Sequence, residues 1–214
     1  MKIRRTANAG VLLELDGVSV LLDGVCREVK PYLATPLPER ERLENCWPEI
    51  VAFTHAHKDH YDPTFAVAYQ RHTNGVIFGP ENLPGCKATQ EPGEVGGVRI
   101  TPITSRHIGA AGKTTPHVSF VIEGSKCIWF LGDASVSYWR NKDLPKPDYI
   151  IAPYAYAITE SAWQFTKSLC SKVVLLHFPN REDDTVGLWD AMERVVTNFD
   201  SVFIPKMGQT YALD

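Results

Sequence analysis

Apolar and polar residues alternate along the chain in short runs that predict β-strands joined as hairpins. In the first hairpin, two apolar-rich runs flank Asp16 and Gly17, a pair that suits a two-residue turn because both positions take positive φ. A second hairpin is predicted across residues 123–125. The second strand of each hairpin runs into an aspartate. The paired runs are 11–15 with 18–22 and 118–122 with 126–131, and the aspartates are Asp23 and Asp133.

Two further runs are continuously apolar, which is typical of buried strands, and each ends at a histidine. Residues 49–54 lead to His55, and residues 172–176 lead to His177. Helices are predicted between the strands, and one of them has a clear start, with Asp62 as N-cap and Pro63 at the first helical position. The predicted helices are 40–45, 63–71, 160–171 and 185–198.

The order of these elements predicts an α/β fold with two similar halves. Each half contains strands followed by helices, which favours stacked sheets covered by helices. The stretches 31–38 and 80–97 contain several proline and glycine residues and are predicted to be loops within a domain rather than linkers. We therefore expect a single domain over residues 1–214.

Composition narrows the class of protein. The chain has 214 residues, 44% of them hydrophobic, which is enough for a buried core, and its formal net charge of -3 argues against a nucleic-acid partner. No segment reaches the roughly 18 apolar residues of a membrane span, and the N-terminal stretch lacks a secretory apolar block. Five scattered cysteines indicate neither disulfides nor a thiolate zinc site. We expect a cytoplasmic protein without a membrane partner, and a homo-oligomer remains open.

Four potential metal ligands lie within six residues directly after the predicted strand 49–54. They are His55, His57, Asp59 and His60. Neutral imidazoles and carboxylates suit zinc, iron and manganese, and residues spaced by two on an extended turn can face one ion together. His55 and His57 are therefore predicted to share one metal, while Asp59 and His60 turn toward another. A loop at the end of a rigid strand is a suitable place to hold such ligands.

This motif resembles the signature of the metallo-β-lactamase fold superfamily of metal-dependent hydrolases. The family pattern also has an aspartate after an early strand, a lone histidine, an aspartate after a hairpin and a last histidine after a strand. The matching residues are Asp23, His107, Asp133 and His177. The resemblance spans residues 11–177 and implies an αββα sandwich with metals in a groove at one edge of the two sheets. The chain is most similar to the compact branch that includes ascorbate-phosphate lactonases.

The resemblance implies two divalent metal ions, with zinc favoured over manganese and iron. His55, His57 and His107 would hold the first ion, Asp59, His60 and His177 the second, and Asp133 would bridge them. Asp23 is predicted to orient a ligand histidine through its other ring nitrogen. His117 competes with His107 for the third histidine position. We favour His107, because it lies in a loop after the predicted strand 98–103, whereas His117 abuts the next strand.

Two ions about 3.5 to 4 Å apart lower the pKa of a shared water toward about 7. The resemblance therefore implies hydrolysis of a small ester, lactone or phosphorylated metabolite by a metal-bridging hydroxide. Asp59 is the predicted catalytic residue, which orients the water or takes its proton. One alternative is a non-hydrolytic iron redox enzyme on the same fold. The other is a nuclease or phosphodiesterase, which the absence of a basic stretch disfavours.

Candidate contacts to a small-molecule substrate lie on the loops that follow the predicted ligands. Basic side chains there suit an anionic substrate group, and aromatic side chains suit a pocket wall. The predicted substrate-binding residues are Arg106, Lys113, Tyr138, Arg140 and Arg181, and Trp139, Tyr154 and Tyr156 are further candidates for the wall.

Overall fold

The chain folds into two β-sheets whose strands and helices are defined by a computed structural model that describes residues 1–139, 142–170, 172–179, 181–198 and 201–214. The strands are β1 (Lys2–Arg5), β2 (Val11–Leu15), β3 (Val18–Leu22), β4 (Ile50–Ala52), β5 (Ile77–Phe78), β6 (Ala88–Thr89), β7 (Gly93–Val95), β8 (Val98–Arg106), β9 (Pro116–Glu123), β10 (Cys127–Phe130), β11 (Tyr149–Pro153), β12 (Val173–Leu176), β13 (Val202–Phe203) and β14 (Thr210–Ala212). The helices are α1 (Leu37–Asn45), α2 (Pro63–Thr73), α3 (Tyr154–Ile158), α4 (Glu160–Leu169) and α5 (Leu188–Asn198).

Both sheets have the same plan, an antiparallel part followed by parallel strands. The first sheet has the order β14-β1-β2-β3-β4-β5-β6, with antiparallel pairing up to β3 and parallel pairing beyond it. The second has the order β13-β12-β11-β10-β9-β8-β7, antiparallel from β7 to β10 and parallel from β10 to β13. This repeated plan confirms the two similar halves predicted from the sequence.

Alternating side chains give each sheet two apolar faces. Between the sheets, residues such as Leu13 and Val20 pack with Phe120 of the second sheet. The outer face of the first sheet packs against Phe65 and Tyr69 of α2. The outer face of the second sheet packs against α3, α4 and α5. The layers are therefore helix, sheet, sheet and helix, which confirms the predicted αββα sandwich.

The local signals that were strong in the sequence correspond to well-defined structure. Asp16 and Gly17 turn the first hairpin with φ of 52° and 86°. The carboxylate of Asp62 caps α2 by accepting from the amide of Thr64 over 2.8 Å. The predicted helix boundaries shift by two to three residues, since α1 begins at Leu37, α4 ends at Leu169 and α5 begins at Leu188.

Short elements were missed, and the two halves differ in the position of one strand. The predicted loop 80–97 contains β6 and β7, because strands of two or three residues are too short to show alternation. The strands that lead to His55 and His177 are not equivalent. β4 is the first parallel strand after its hairpin, whereas β12 is the second, with β11 between it and the hairpin. Among the described residues, no helix is long and apolar enough to span a membrane.

Candidate metal centre

The predicted ligands converge where strands of the two sheets end. The loop with His55, His57, Asp59 and His60 follows β4 of the first sheet, and His107, Asp133 and His177 follow β8, β10 and β12 of the second. The amide of Val118 in β9 donates to the carbonyl of Thr54 over 3.0 Å, which joins the sheets beside this loop. Residues that are far apart in the sequence therefore reach one place.

Their side chains form three overlapping groups whose possible ligand atoms lie within 4.8 Å of one another. The groups are His55, His57 and His107; His55, His60 and Asp133; and Asp59, His60 and His177. Oδ2 of Asp133 lies 3.5 Å from Nε2 of three histidines, His60, His107 and His177. Oδ2 of Asp59 lies 3.1 Å from Nε2 of His177. Asp133 is thus shared between the groups.

Several of these ligand atoms are buried and make no hydrogen bond within the described residues. They are Nε2 of His55, His60, His107 and His177 and Oδ1 of Asp133. Buried polar atoms in native proteins nearly always have a partner, so five without one in a single place need an explanation. Imidazole nitrogen and carboxylate oxygen bind zinc and iron, so this donor set fits metal ions.

A second ring nitrogen is engaged in His55, His57 and His107, which fixes the orientation of these imidazoles. Nδ1 of His55 lies 2.9 Å from Oγ1 of Thr54, and Nδ1 of His107 lies 2.7 Å from the carbonyl oxygen of Ile108. In His57 the engaged ring nitrogen is Nε2 instead, which lies 3.3 Å from Oγ1 of Thr115. His55 and His107 therefore present Nε2 to the centre, and Nδ1 of His57 has no hydrogen-bond partner among the residues that the structure describes.

Asp23 lies fully buried behind the ligand loop and contacts His60. Its Oδ2 is 2.8 Å from Nδ1 of His60 and accepts from the hydroxyl of Thr54 over 2.6 Å. Its Oδ1 accepts from the amide of Thr54 over 2.7 Å. One carboxylate therefore fixes both the start of the loop and the ring of its last histidine.

His107 and His117 differ in the partners of each ring. His117 is buried, and its Nε2 accepts from the backbone amide of Asp133 over 3.1 Å. Its Nδ1 lies 2.7 Å from Oγ of Ser105, which in turn lies 3.0 Å from Oγ of Ser119. Burial lowers the pKa of His117 to about 3, so the ring is neutral. Both nitrogens of His117 are used, and His107 joins His55 and His57.

His177 has an unusual backbone conformation. Its φ is 68°, in the left-handed region that non-glycine residues rarely adopt and that is often found at functional sites. The amide of His177 donates to the carbonyl oxygen of Asn8 over 3.2 Å. The contact to the loop after β1 therefore helps to hold this histidine in place.

Burial and charge act in opposite directions at the centre. Burial lowers the pKa of His55 well below its usual value. Burial also lowers the pKa of His60, but the carboxylates of Asp133 and Asp23 outweigh it and raise that pKa well above normal. Burial raises the pKa of Asp133, yet His177 and His60 bring it well below normal. Without metal, these directions favour a neutral His55, a protonated His60 and an ionised Asp133.

The predicted substrate contacts lie apart from these groups or make other contacts. Exposed Arg106 donates from Nε to the carbonyl oxygen of Gly112 over 3.2 Å, and Tyr138 packs under the ammonium of Lys142. Arg181 pairs with Glu193. The side chain of Lys113 and the whole of Arg140 lie outside the described part of the chain.

Two of the aromatic candidates belong to the core instead. Trp139 is 2% exposed and packs on Trp129, because the turn after Asp133 folds back onto the second sheet. Tyr156 is buried and its hydroxyl donates to the carbonyl oxygen of Ala134 over 2.7 Å. Neither forms an open pocket wall, and Tyr156 instead supports the loop that carries Asp133.

Two tyrosines near His177 are better placed. The half-buried ring of Tyr32 lies 4.6 Å from that of His177, edge to face, and the ring of Tyr154 lies 6.3 Å from it. Tyr154 was a sequence candidate, whereas Tyr32 was missed. Tyr32 lies in the proline-containing stretch before α1. No sequence motif or regular pattern of apolar residues in this stretch distinguishes Tyr32 from its neighbours.

A scan against protein-family models found no match, and neither did a search of curated proteins. Solved structures are similar over the whole chain. The isothiocyanate hydrolase from Delia radicum gut bacteria has a TM-score of 0.72 and 18% identity, over 100% of this chain and 99% of that one. The metallo-β-lactamase fold protein YhfI from Bacillus subtilis has a TM-score of 0.61 and 17% identity, over 98% of both chains. This chain has the metallo-β-lactamase fold.

The metallo-β-lactamase fold also occurs within larger proteins. CmlA, a diiron β-hydroxylase from Streptomyces venezuelae, matches with a TM-score of 0.62 and 12% identity, over 99% of this chain and 53% of that one. In the present chain the three ligand groups lie on loops at strand ends of both sheets of this fold. The fold therefore accounts for the gathering of the ligands, and the chemistry must be argued from the residues.

Proposed function

We propose that this protein is a binuclear metal-dependent hydrolase. The observation that carries the proposal is the set of buried histidine and aspartate atoms that lack hydrogen bonds and lie within 4.8 Å of one another in overlapping groups. Two separate groups of three, connected by a third group that contains Asp133, suit two neighbouring ions with a shared carboxylate better than one ion. Solved neighbours that are hydrolases of the same fold are consistent with this proposal.

The ligand roles follow from the three groups. His55, His57 and His107 would hold one ion, Asp59, His60 and His177 the other, and Asp133 would lie between them. Two divalent ions, when bound, supply Lewis acidity and activate water at neutral pH. We favour zinc, while the same nitrogen and oxygen donors accept manganese or iron.

Asp59 is better suited to orienting a group than to accepting a proton. Burial raises its pKa, but His177 and His60 outweigh burial and lower it. A general base is most effective when its pKa lies near the working pH, which a lowered carboxylate pKa does not provide. We further propose that the phenols of Tyr32 and Tyr154, whose rings lie 4.6 and 6.3 Å from that of His177, donate hydrogen bonds to a substrate oxygen.

We propose a small, electrophilic substrate such as an ester, a lactone or a phosphorylated metabolite, in a cytoplasmic setting. The net charge of -3 favours a small molecule over a nucleic acid. The isothiocyanate hydrolase among the solved neighbours adds isothiocyanates to the compounds worth screening.

Metal content and turnover test the proposal together. We expect protein purified without added metal to contain close to two equivalents of zinc, manganese or iron, and His57→Ala to lose metal and turnover. His72→Ala is the matched control, since His72 is an exposed histidine at the end of α2. The screen comprises esters, lactones, phosphodiesters and isothiocyanates. One equivalent or less in the wild-type protein would contradict the binuclear centre.

The iron redox alternative gives a different result. Iron with visible absorbance, together with substrate-dependent oxygen consumption and no hydrolysis, would replace the hydrolase proposal. The diiron enzyme of similar fold makes this measurement worthwhile.

A further inference from the structure

A cavity of about 750 Å³ lies beside the metal centre and contains none of its proposed ligands. Its walls come from the end of β1, the loop before α1, the segment after β12, α5 and the segment between β13 and β14. This volume is in the range of small-molecule sites, which are roughly 300 to 1,000 Å³. The residues of its wall indicate which ligand it suits.

Arg5 is a buried cation in this wall. It is 6% exposed and donates from Nε and Nη2 to the carbonyl oxygens of Ala7 and Asn8 over 3.2 and 3.1 Å. Among the described residues, no carboxylate lies within salt-bridge distance of it. Burial lowers the pKa of Arg5 to about 10, so it remains charged at neutral pH. A buried cation without a counter-ion is costly and favours an anionic ligand.

Asn8 is a second polar residue of the wall. It is 4% exposed, and neither Nδ2 nor Oδ1 has a hydrogen-bond partner within the described residues. An amide group that is buried without partners is uncommon in native proteins. A carboxylate can accept from both the Arg5 guanidinium and Nδ2 of Asn8, so a single anionic group can contact both donors.

The rest of the wall is mainly apolar. Phe178 and Trp189 stack with their ring centroids 4.6 Å apart, and Leu33 and Phe203 complete the apolar lining. At the rim, Arg181 already pairs with Glu193. The cavity therefore combines one unpaired buried cation with an apolar lining, which matches a monoanion better than a dianion.

We propose that this cavity binds a small molecule with one carboxylate and an apolar body, with the carboxylate on Arg5 and Asn8. The site is distinct from the metal centre but touches it. Phe178 directly follows His177, and the backbone of Asn8 accepts the hydrogen bond from the amide of His177. Binding does not depend on hydrolase activity.

Calorimetric titration of the metal-loaded protein with octanoate and with 1-octanol tests the proposal. We expect octanoate to bind at least about tenfold more tightly than octanol, because hydrogen bonds between charged groups are stronger than those to a neutral hydroxyl. Asn8→Asp places a carboxylate near Arg5 and should weaken octanoate binding at least tenfold while leaving octanol binding unchanged. Arg5→Gln should have the same effect.

The controls separate this site from the metals and from unfolding. Octanoate bound to the metal ions would be lost on chelation and indifferent to Asn8→Asp, and that result would overturn the proposal. Equal binding of octanoate and octanol would also overturn it. Asn8→Asp decides the matter if Arg5→Gln fails to fold, since the Asn8 side chain has no partner to lose. Lys206→Gln, at the exposed rim, should change octanoate affinity by less than about threefold.

Discussion

The two halves of the molecule share a sheet plan but supply their part of the metal centre in different ways. The first half places four candidate ligands on one loop after β4. The second half supplies three, each after a different strand. A single loop can be positioned by one buried group, whereas separate residues need a separate support each. Similar topology therefore does not imply a similar way of building the centre.

The supporting groups differ in charge. In the first half, the buried carboxylate of Asp23 holds Thr54 and His60. In the second half, Nε2 of neutral His117 accepts a hydrogen bond from the amide of Asp133, and its Nδ1 is hydrogen-bonded to the hydroxyl of Ser105. A charged support also raises the basicity of the histidine it contacts, and a neutral support only positions its residue. The following variants test this difference.

The largest effect is expected from Asp133→Ala. Asp133 lies within 3.5 Å of histidines from both halves, so its loss should release both ions and lower kcat/KM about a thousandfold, since several kcal/mol of charge stabilisation go with them. His107→Ala should cost one ion only. Metal analysis of the two variants checks this. Equal metal content would show that Asp133 is not shared.

Changing Asp23, or the Ser105 partner of His117, should weaken metal binding less than Asp133→Ala does, and the two effects should be unequal. Asp23→Asn should weaken metal binding about 10- to 100-fold, because a carboxylate partner of a ligand histidine is lost. Ser105→Ala should weaken it by less than about tenfold, since a neutral hydrogen bond contributes about 1 kcal/mol. Competition with a metal-binding dye measures both. A larger loss of metal affinity in Ser105→Ala than in Asp23→Asn would contradict the proposed difference between the charged and the neutral support.

The binding affinities of the two ions should also differ in their dependence on pH. The raised pKa of His60 means that this residue carries a proton at neutral pH in the metal-free protein, whereas lowered pKa values keep His55 and His57 neutral. Metal binding at His60 must therefore release a proton, and below its pKa affinity should fall about tenfold per pH unit. Calorimetry in buffers of different ionisation enthalpy measures the release. Equal proton release by both ions would contradict this.

The smallest effect concerns the helix behind the first-half loop. Asp62→Ala should lower the free energy of unfolding by about 1 kcal/mol, because Asp62 caps α2. Burial raises the Asp62 pKa, but the hydrogen bonds from Thr64 and Arg40 outweigh burial and lower the pKa below its unfolded value. This contribution is therefore present above the unfolded pKa and is lost as pH falls through the lower folded value. Urea denaturation at pH 7 and pH 3 measures it. Metal content should not change.

The sequence predicted features that depend on neighbouring residues better than features that depend on residues far apart in the chain. The four clustered residues and the Asp16-Gly17 hairpin depend on neighbours in the chain, and their local structure agrees with the prediction. His107 was separated from His117 by a strand boundary, and only the partners of each ring distinguish them in space. Tyr32 carries no local signal, because its proximity to His177 depends on the long loop before α1.

The cavity was beyond prediction for the same reason. The sequence analysis gave Arg5 no role, and it predicted Arg181 to be a substrate contact near the metals. They line one cavity because the segments after β12 and β13 pack beside the end of β1. No pattern within a single segment shows that a cation will be buried without a counter-ion.

The pairing of β14 with β1 has a consequence for the order of folding. The last strand completes the first sheet, so the first half cannot form its full sheet without the C-terminal segment. The amide of Gly208 donates to the carbonyl of Arg5 over 2.9 Å, and Met207 bridges to the same residue. Contacts between such distant segments have a high loop-closure cost, so we expect them to form late. The cavity wall would then be completed in the last steps of folding, and a ligand bound there would stabilise that closure.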